Sequence, residues 1–160
     1  MTNEASILGE LLLKHKLIVA SAESCTGGNI AHLITEVAGS SAYFKGSVVS
    51  YCDEIKHEVL GVRQETLDEH TAVSQQVAEQ MADGAKRLMH ADIAVSTTGI
   101  AGPGGANENQ PVGTVWMGVS SKKGTHAELF LFNGNREEII RQASVQAIQL
   151  VINEIKEIYG

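Results

Sequence analysis

The sequence predicts one α/β domain spanning residues 1–160, with three layers: a mixed, mostly parallel sheet of about five strands between helices. Helical and extended patterns alternate along the 160 residues, without a linker or an internal repeat. Within ADIAVSTTG at 91–99, the run IAV at 93–95 is apolar rather than alternating, which is typical of a strand covered by helices on both faces. A chain of this length buries roughly 70% of its unfolded surface, so its core needs no metal or disulfide.

The first part of the chain predicts three helices and two strands. Residues 5–15 form an amphipathic helix, and LIVASA at 17–22 is a short strand. NIAHLITEV at 29–37 places apolar residues at helical spacing, so the segment between these two elements is a strand-to-helix turn. GSVVSYC at 46–52 is the second strand, and a short helix follows at 53–61 with Asp53 as its N-cap or first-turn acid.

The second part predicts a long helix, three strands and a final helix. Ser74 is a suitable cap for the helix that continues to residue 90. The third strand, 91–99, runs into a glycine-rich loop at 99–113. Strands at 113–121 and 126–132 are joined too closely for a parallel crossover, so they should pair antiparallel. Arg136–Tyr159 forms the last helix.

Charge and composition exclude several classes of function. The formal net charge is −7, and lysine and arginine never cluster beyond pairs, so we expect no nucleic-acid partner. A secretory leader and a long apolar run are both absent from the sequence, so we expect a cytoplasmic protein without a membrane partner. Because α/β domains of this size often form symmetric dimers, we also expect a homodimer or a higher homo-oligomer.

The potential metal ligands do not form a recognisable site. Cys25 and Cys52 are 27 residues apart, and the six histidines do not join them at ligand spacing. Asp53 with Glu54 has the chemistry of a magnesium site, but neighbouring acids at a helix start more often complement the helix dipole. We therefore assign no metal and no cofactor.

Three polar segments follow the three predicted parallel strands: ESCTGG, SYCDEIK and TTGIAGPGG. Because the carboxyl ends of parallel strands meet at one edge of a sheet, we expect these segments to converge there. Ligands of open α/β sheets bind at that edge, beside helix N-termini. The sequence thus predicts a small-molecule site built from all three segments.

Ser24, Cys25 and Thr26 are the candidate nucleophiles of the first segment. We favour a Ser24–Lys56 pair, since a desolvated lysine deprotonates readily and Ser–Lys pairs are a known catalytic arrangement. In the alternative, Ser24 and Thr26 only cap the following helix and Lys56 is a solvated surface residue; the pattern alone favours this alternative, because such caps are common. A Cys25 nucleophile lacks a neighbouring histidine to form the thiolate.

The motifs AESCTGG, AGSSAYFKGSVVSY, TAVS, TTGIAGPGG and PVGTVWMGV, in this order and spacing, resemble the CinA C-terminal domain family over residues 6–155. The enzymatic members of this family are nicotinamide mononucleotide amidohydrolases. The resemblance implies hydrolysis of the nucleotide's carboxamide to nicotinic acid mononucleotide and ammonia, in pyridine nucleotide salvage. It also implies a stand-alone form without the additional N-terminal domain of longer members.

The resemblance assigns roles to individual positions. Ser24 matches the nucleophile and Lys56 its base, which we expect to act through an acyl-enzyme. The remaining expected oxyanion or substrate-binding residues are Thr26, Gly27, Gly28, Tyr51, Thr98, Gly99, Gly102 and Arg141, the last of them for the substrate phosphate.

One departure from the family pattern affects the proposed base. Asp53 replaces a neutral residue of the family near Lys56, and a carboxylate there favours the charged form of the lysine. The resemblance also leaves open a second hypothesis, a non-catalytic nucleotide-binding regulatory module of the competence or damage-inducible type. Lys56 discriminates between the two hypotheses, because such a module has no need of a deprotonatable lysine beside Ser24.

Overall fold

A computed structural model describes residues 2–160. The helices and strands follow one another in the order α1 (Asn3–His15), β1 (Val19–Glu23), α2 (Asn29–Thr35), β2 (Phe44–Val49), α3 (Asp53–Glu58), α4 (Gln64–His70), α5 (Gln75–Leu88), β3 (Ile93–Gly99), β4 (Thr114–Ser121), β5 (Gly124–Leu131) and α6 (Arg136–Tyr159). A single turn of 3-10 helix, Ser40–Ala42, precedes β2.

The five strands form one sheet in the order β2-β1-β3-β4-β5. Strand β1 pairs in parallel with both β2 and β3, whereas β4 pairs antiparallel with β3 and with β5. Only β4 therefore runs against the other strands, and the predicted mixed, mostly parallel sheet is confirmed. The carboxyl ends of β1, β2 and β3 meet at the same edge.

Helices cover both faces of the sheet, which completes the three predicted layers. Helices α1, α2 and α6 bury the larger hydrophobic cluster against one face, with Leu12, Ile30 and Ile152 at its centre. Helix α5 covers the other face over a smaller cluster that contains Leu60 and Met81. Within residues 2–160, no helix is both long enough and apolar enough to cross a membrane.

Several element boundaries differ from those predicted. Helix α4 was not predicted, because QETLDEH contains only one large apolar residue, the buried Leu67. Strand β2 ends at Val49 instead of 52, and the next carbonyl, that of Ser50, accepts a hydrogen bond from a lysine side chain and not from a neighbouring strand. Asp53 is the first residue of α3 and complements its dipole, whereas the N-cap is Cys52.

Candidate active site

The three polar segments converge at the carboxyl edge of the sheet. The amide of Ser24 donates to the Thr97 carbonyl at 3.0 Å, which fixes the turn after β1 to the end of β3. The amide of Ser50 donates to the Glu23 carbonyl at 2.7 Å, which fixes the segment after β2 to the same turn. The backbone of the three strand ends therefore holds the site together.

Lys56 lies against Ser24. Its Nζ donates to Ser24 Oγ at 3.1 Å and to the Ser50 carbonyl at 2.8 Å. The lysine is only 2% exposed, while Ser24 is half-buried. The alternative in which Lys56 is a solvated surface residue is therefore wrong.

Burial changes the proton affinity of Lys56. Loss of hydration disfavours the charged ammonium and lowers the pKa of Lys56 below its ordinary value of 10.5. The carboxylate of Asp53 raises the pKa of Lys56, as its sequence position suggests. This carboxylate is exposed, and the net shift of the pKa is downward. The lysine is thus more easily deprotonated than a lysine in water.

The Glu23 carboxylate, which the sequence reasoning did not single out, organises the turn. It is fully buried and accepts hydrogen bonds from the amides of Gly28, Ile30 and Ala31 at 2.9–3.1 Å. It also accepts from the Thr26 hydroxyl at 2.6 Å. An acidic residue at the end of an apolar strand, directly before a glycine-rich helix start, is the sequence feature that predicts such a contact.

These contacts correct the idea that serine and threonine cap the helix. The N-cap of α2 is Gly28, at φ +99°. Glycine has no side chain, so no N-cap side chain accepts a hydrogen bond from the helix amides. The Thr26 hydroxyl is buried between Glu23 and Thr97 Oγ1, the latter at 2.9 Å, so it stabilises the turn instead. Glu23, and not Ser24 or Thr26, accepts hydrogen bonds from the first amides of α2.

The backbone amides of the turn differ in whether a protein atom already accepts a hydrogen bond from them. The amide of Gly27 donates to the Ser24 carbonyl at 3.0 Å, and that of Gly28 donates to Glu23. Within residues 2–160, no carbonyl accepts a hydrogen bond from the amides of Cys25 and Thr26. The amides of Gly27 and Gly28, which we expected to bind an oxyanion, are therefore occupied, and the amides that directly follow Ser24 remain for it.

Cys25 is buried at the start of the turn. It is 8% exposed and belongs to the hydrophobic cluster beneath α2 and α6. Burial raises the pKa of its thiol to about 12, so it is protonated at neutral pH.

Thr98, Gly99 and Gly102, which we expected to bind the substrate, are tightly packed. In the parallel register Glu23 pairs with Thr97, so Thr98 follows beside Ser24. Its hydroxyl is buried and donates to the Ala72 carbonyl at 2.8 Å. A Cβ on Gly99 would lie 2.5 Å from the Thr114 carbonyl, so this glycine allows the close approach of β4. A Cβ on Gly102 would lie 2.5 Å from Val112.

Tyr51 follows the end of β2 and is exposed to solvent. Its hydrogen-bond partner, Arg136, is a second residue that the sequence alone did not indicate. The side chain of Tyr51 is 61% exposed, and its hydroxyl accepts a hydrogen bond from Arg136 Nη2 at 2.8 Å. Arg136 Nη1 donates to the Gly102 carbonyl, also at 2.8 Å. Arg136 thus links the segment after β2 to the loop after β3. No pattern in the sequence distinguishes it from the other first-turn residues of α6.

A cavity of about 780 Å³ lies beside the turn, on the face covered by α2 and α6. Thr26, Gly27 and Gly28 form one part of its wall, and Arg136 and Arg141 form another. Ser24 and Lys56 are not part of the wall, although Thr26, two residues after Ser24, is. Its volume is in the range of small-molecule sites.

Known proteins share both the sequence and the fold of this chain. The family described as CinA C-terminal domain matches residues 1–155. A CinA-like protein of Flavobacterium psychrophilum is 46% identical over 96% of this chain, but the chain spans only 37% of that relative's length. The nicotinamide-nucleotide amidohydrolase PncC of Escherichia coli is 46% identical over 89% of this chain and 87% of its own length.

The fold comparison agrees with the sequence comparison. The crystal structure of a CinA superfamily protein from Klebsiella pneumoniae superposes with a TM-score of 0.91 at 33% identity, over 98% of this chain and 99% of that one. A competence/damage inducible protein from Agrobacterium tumefaciens gives a TM-score of 0.88 at 37% identity, over 96% of both chains. From its sequence and its fold, the chain belongs to the CinA C-terminal domain family.

Proposed function

We propose that this chain hydrolyses the carboxamide of nicotinamide mononucleotide to nicotinic acid mononucleotide and ammonia, with Ser24 as the nucleophile and Lys56 as its base. The contact that carries the proposal is the 3.1 Å hydrogen bond between a buried lysine of lowered pKa and a half-buried serine. The name and the 46% identity of the Escherichia coli amidohydrolase support this substrate and this reaction.

In the first step, neutral Lys56 accepts the proton of Ser24. One N–H of the neutral amine donates to the Ser50 carbonyl, which leaves the nitrogen lone pair for the serine proton. The serine oxygen then bonds to the amide carbon, and the carbonyl electrons move onto the amide oxygen. The Ser50 carbonyl also stabilises the ammonium that forms.

The amides of Cys25 and Thr26 stabilise the negative oxygen of this intermediate. Within residues 2–160, no carbonyl accepts a hydrogen bond from either amide, and the two residues directly follow Ser24 in the chain. Loss of one such donor typically lowers the rate by about a hundredfold. Glu23 supports this arrangement, because it binds the Gly28 amide and the Thr26 hydroxyl.

Lys56 then returns its proton to the amide nitrogen, the carbon–nitrogen bond breaks and ammonia leaves. The product of this step is an ester between Ser24 and the nicotinoyl group. Water attacks the ester and gives a proton to Lys56, and the same proton returns to Ser24 when the acid is released. Each proton that Lys56 takes up is therefore passed on within the cycle.

The test is ammonia release from nicotinamide mononucleotide in the presence of EDTA, measured for the wild type, Ser24→Ala, Lys56→Met and Cys25→Ala. We expect turnover in the wild type and in Cys25→Ala, and loss of turnover in the other two variants with ligand binding retained. Turnover that persists in Lys56→Met would contradict the role of the lysine.

An inactive wild type that still binds the nucleotide in calorimetry would favour the regulatory-module hypothesis instead. Some relatives have names of this type, such as the putative competence-damage inducible protein of Caldanaerobacter subterraneus, at 42% identity. The expected homo-oligomer and cytoplasmic location stay predictions.

A further inference from the structure

Thr97 of β3 contacts both ends of the segment 24–26, which carries the nucleophile and the amides assigned to the oxyanion. The carbonyl of Thr97 accepts a hydrogen bond from the Ser24 amide at 3.0 Å. Its hydroxyl oxygen lies 2.9 Å from Thr26 Oγ1. The thiol of Cys25, between these two residues, also contacts the Thr97 side chain. One residue of the sheet therefore touches every residue of this segment.

The hydrogen bond between the two threonines has a defined direction. The Thr26 hydroxyl donates its only proton to Glu23 Oε1 at 2.6 Å, because an ionised carboxylate only accepts. The other partners of this carboxylate within residues 2–160 are amides and serine hydroxyls, which donate to it. The Thr97 hydroxyl is therefore the donor to Thr26 Oγ1, and the hydrogen bonds run from Thr97 through Thr26 to Glu23.

The Thr97 hydroxyl occupies a position where the strand pattern favours an apolar residue. Side chains alternate along β3, so Thr97 shares a face with Ile93 and Val95, which both belong to the larger hydrophobic cluster. The Thr97 side chain is fully buried. Burial of a hydroxyl is unfavourable unless the hydroxyl forms a hydrogen bond, and a valine of nearly the same shape has no such requirement. The contact with Thr26, and not packing, therefore accounts for a hydroxyl at this position.

Thr97 is itself fixed by the sheet on both sides. It pairs with Glu23 of β1 in the parallel register and with Met117 of β4 in the antiparallel register. Donors to an oxyanion are most effective when they are in place before the charge develops, because no reorganisation then accompanies the reaction. A central strand that holds the segment 24–26 at two points supplies this rigidity.

We infer that Thr97 is a positioning residue for the oxyanion site, and that its hydroxyl fixes Thr26 and so keeps the amides of Cys25 and Thr26 beside the nucleophile. The inference rests on the proposed function, since it concerns the same acyl transfer. Thr26 lines the 780 Å³ cavity and Thr97 does not, so Thr97 acts through Thr26. A displacement of about 1 Å in such a site can lower a rate by about a hundredfold.

The kinetic test compares Thr97→Val, which removes the hydroxyl at nearly constant shape, with Thr97→Ser, which retains it. Thr97→Val should lower kcat for nicotinamide mononucleotide by about tenfold to a hundredfold and leave KM nearly unchanged, because the amides act on the transition state. Thr97→Ser should restore most of kcat. Equal losses of kcat in the two variants, or a change in KM alone, would overturn the inference.

The matched control is Thr66→Val in α4. Thr66 is also buried, and its hydroxyl accepts a hydrogen bond from Gln80 Nε2 at 3.0 Å, outside the candidate site. This variant should lower Tm, as Thr97→Val should, but leave kcat unchanged. A fall in kcat that accompanies the fall in Tm in both variants would assign Thr97 a role in stability only.

A second test does not depend on hydrolysis. Pyridine-3-boronic acid carries boron in place of the carboxamide carbon. The Ser24 oxygen bonds to this boron, the serine proton passes to Lys56, and the boron becomes a tetrahedral anion that resembles the intermediate. Boron NMR measures the affinity of this adduct, with Ser24→Ala as the blank. We expect Thr97→Val to weaken the adduct by a factor similar to its loss of kcat, and Thr97→Ser to form it as the wild type does.

The outcomes separate this inference from the proposed reaction. A weakened adduct in Thr97→Val, together with a wild type that does not hydrolyse the nucleotide, would refute the hydrolysis and retain the role of Thr97. Equal affinity of the wild type and Thr97→Val for the boronic acid would refute that role. A wild type that forms no adduct would refute Ser24 as the nucleophile, and the inference with it.

Discussion

Lys56 Nζ lies 3.1 Å from Ser24 Oγ, although the two residues are 32 positions apart and belong to segments after different strands. The Ser50 carbonyl, 2.8 Å from the same nitrogen, connects the pair to the backbone at the end of β2. Lys56 is therefore positioned by a main-chain atom whose place is fixed by the sheet. Under the proposed mechanism, the protonation state of Lys56 controls the rate of hydrolysis.

The first prediction is a pH profile governed by Lys56. kcat/KM for nicotinamide mononucleotide should rise with pH through an apparent pKa below 10.5, because burial lowers the pKa of Lys56 and the neutral amine is the active form. Asp53→Asn removes a carboxylate that raises this pKa, so the profile should move to lower pH. Glu54→Gln, at the neighbouring exposed position, is the matched control and should leave the profile in place.

The same pKa shift affects stability in a defined direction. Between the lowered pKa of the folded state and the ordinary value of 10.5, the unfolded chain binds more protons, so the free energy of unfolding rises with pH. Lys56→Met lacks this contribution. The wild type should therefore gain stability relative to Lys56→Met as pH increases toward 10.5, measured by urea denaturation. A difference that is independent of pH would contradict a perturbed lysine.

The second prediction concerns Cys25, whose buried thiol has its pKa raised to about 12. In a Cys52→Ser background, which removes the exposed thiol, iodoacetamide at neutral pH should leave ammonia release unaffected. Mass spectrometry should then find Cys25 unmodified in the folded protein. Stoichiometric alkylation of Cys25 that parallels the loss of activity would instead favour a cysteine nucleophile.

The third prediction is that Glu23→Gln lowers both stability and kcat. An amide NH₂ cannot accept a hydrogen bond, so at least one donor among Gly28, Ile30 and Ala31 loses its partner. Each orphaned buried donor costs about 1–3 kcal/mol, and the displaced turn carries Ser24 with it. Thermal unfolding and steady-state kinetics should show both effects, while the exposed Glu58→Gln serves as the control. A variant with unchanged Tm and kcat would rule out the role given to Glu23.

Much of the fold follows from local patterns. The last helix has the predicted bounds, Arg136–Tyr159, because its apolar residues recur over 24 positions. Ser74 caps α5 by accepting from the Val77 amide at 3.2 Å, as its position before an apolar periodicity predicts. The sequence did not predict helix α4. A helix of seven residues with few apolar positions is stabilised by tertiary packing more than by its own hydrophobic periodicity.

The sequence by itself determined the alternation of strands and helices, and so the convergence of three polar segments at one edge of the sheet. It also identified Ser24 and Lys56 as candidates, through their motifs. Only the tertiary structure decided that Lys56 is buried against Ser24, that Glu23 occupies the α2 amides, and that Arg136 joins Tyr51 to Gly102. Periodicity depends on neighbours a few residues away, whereas burial and hydrogen bonding depend on atoms brought together from distant parts of the chain.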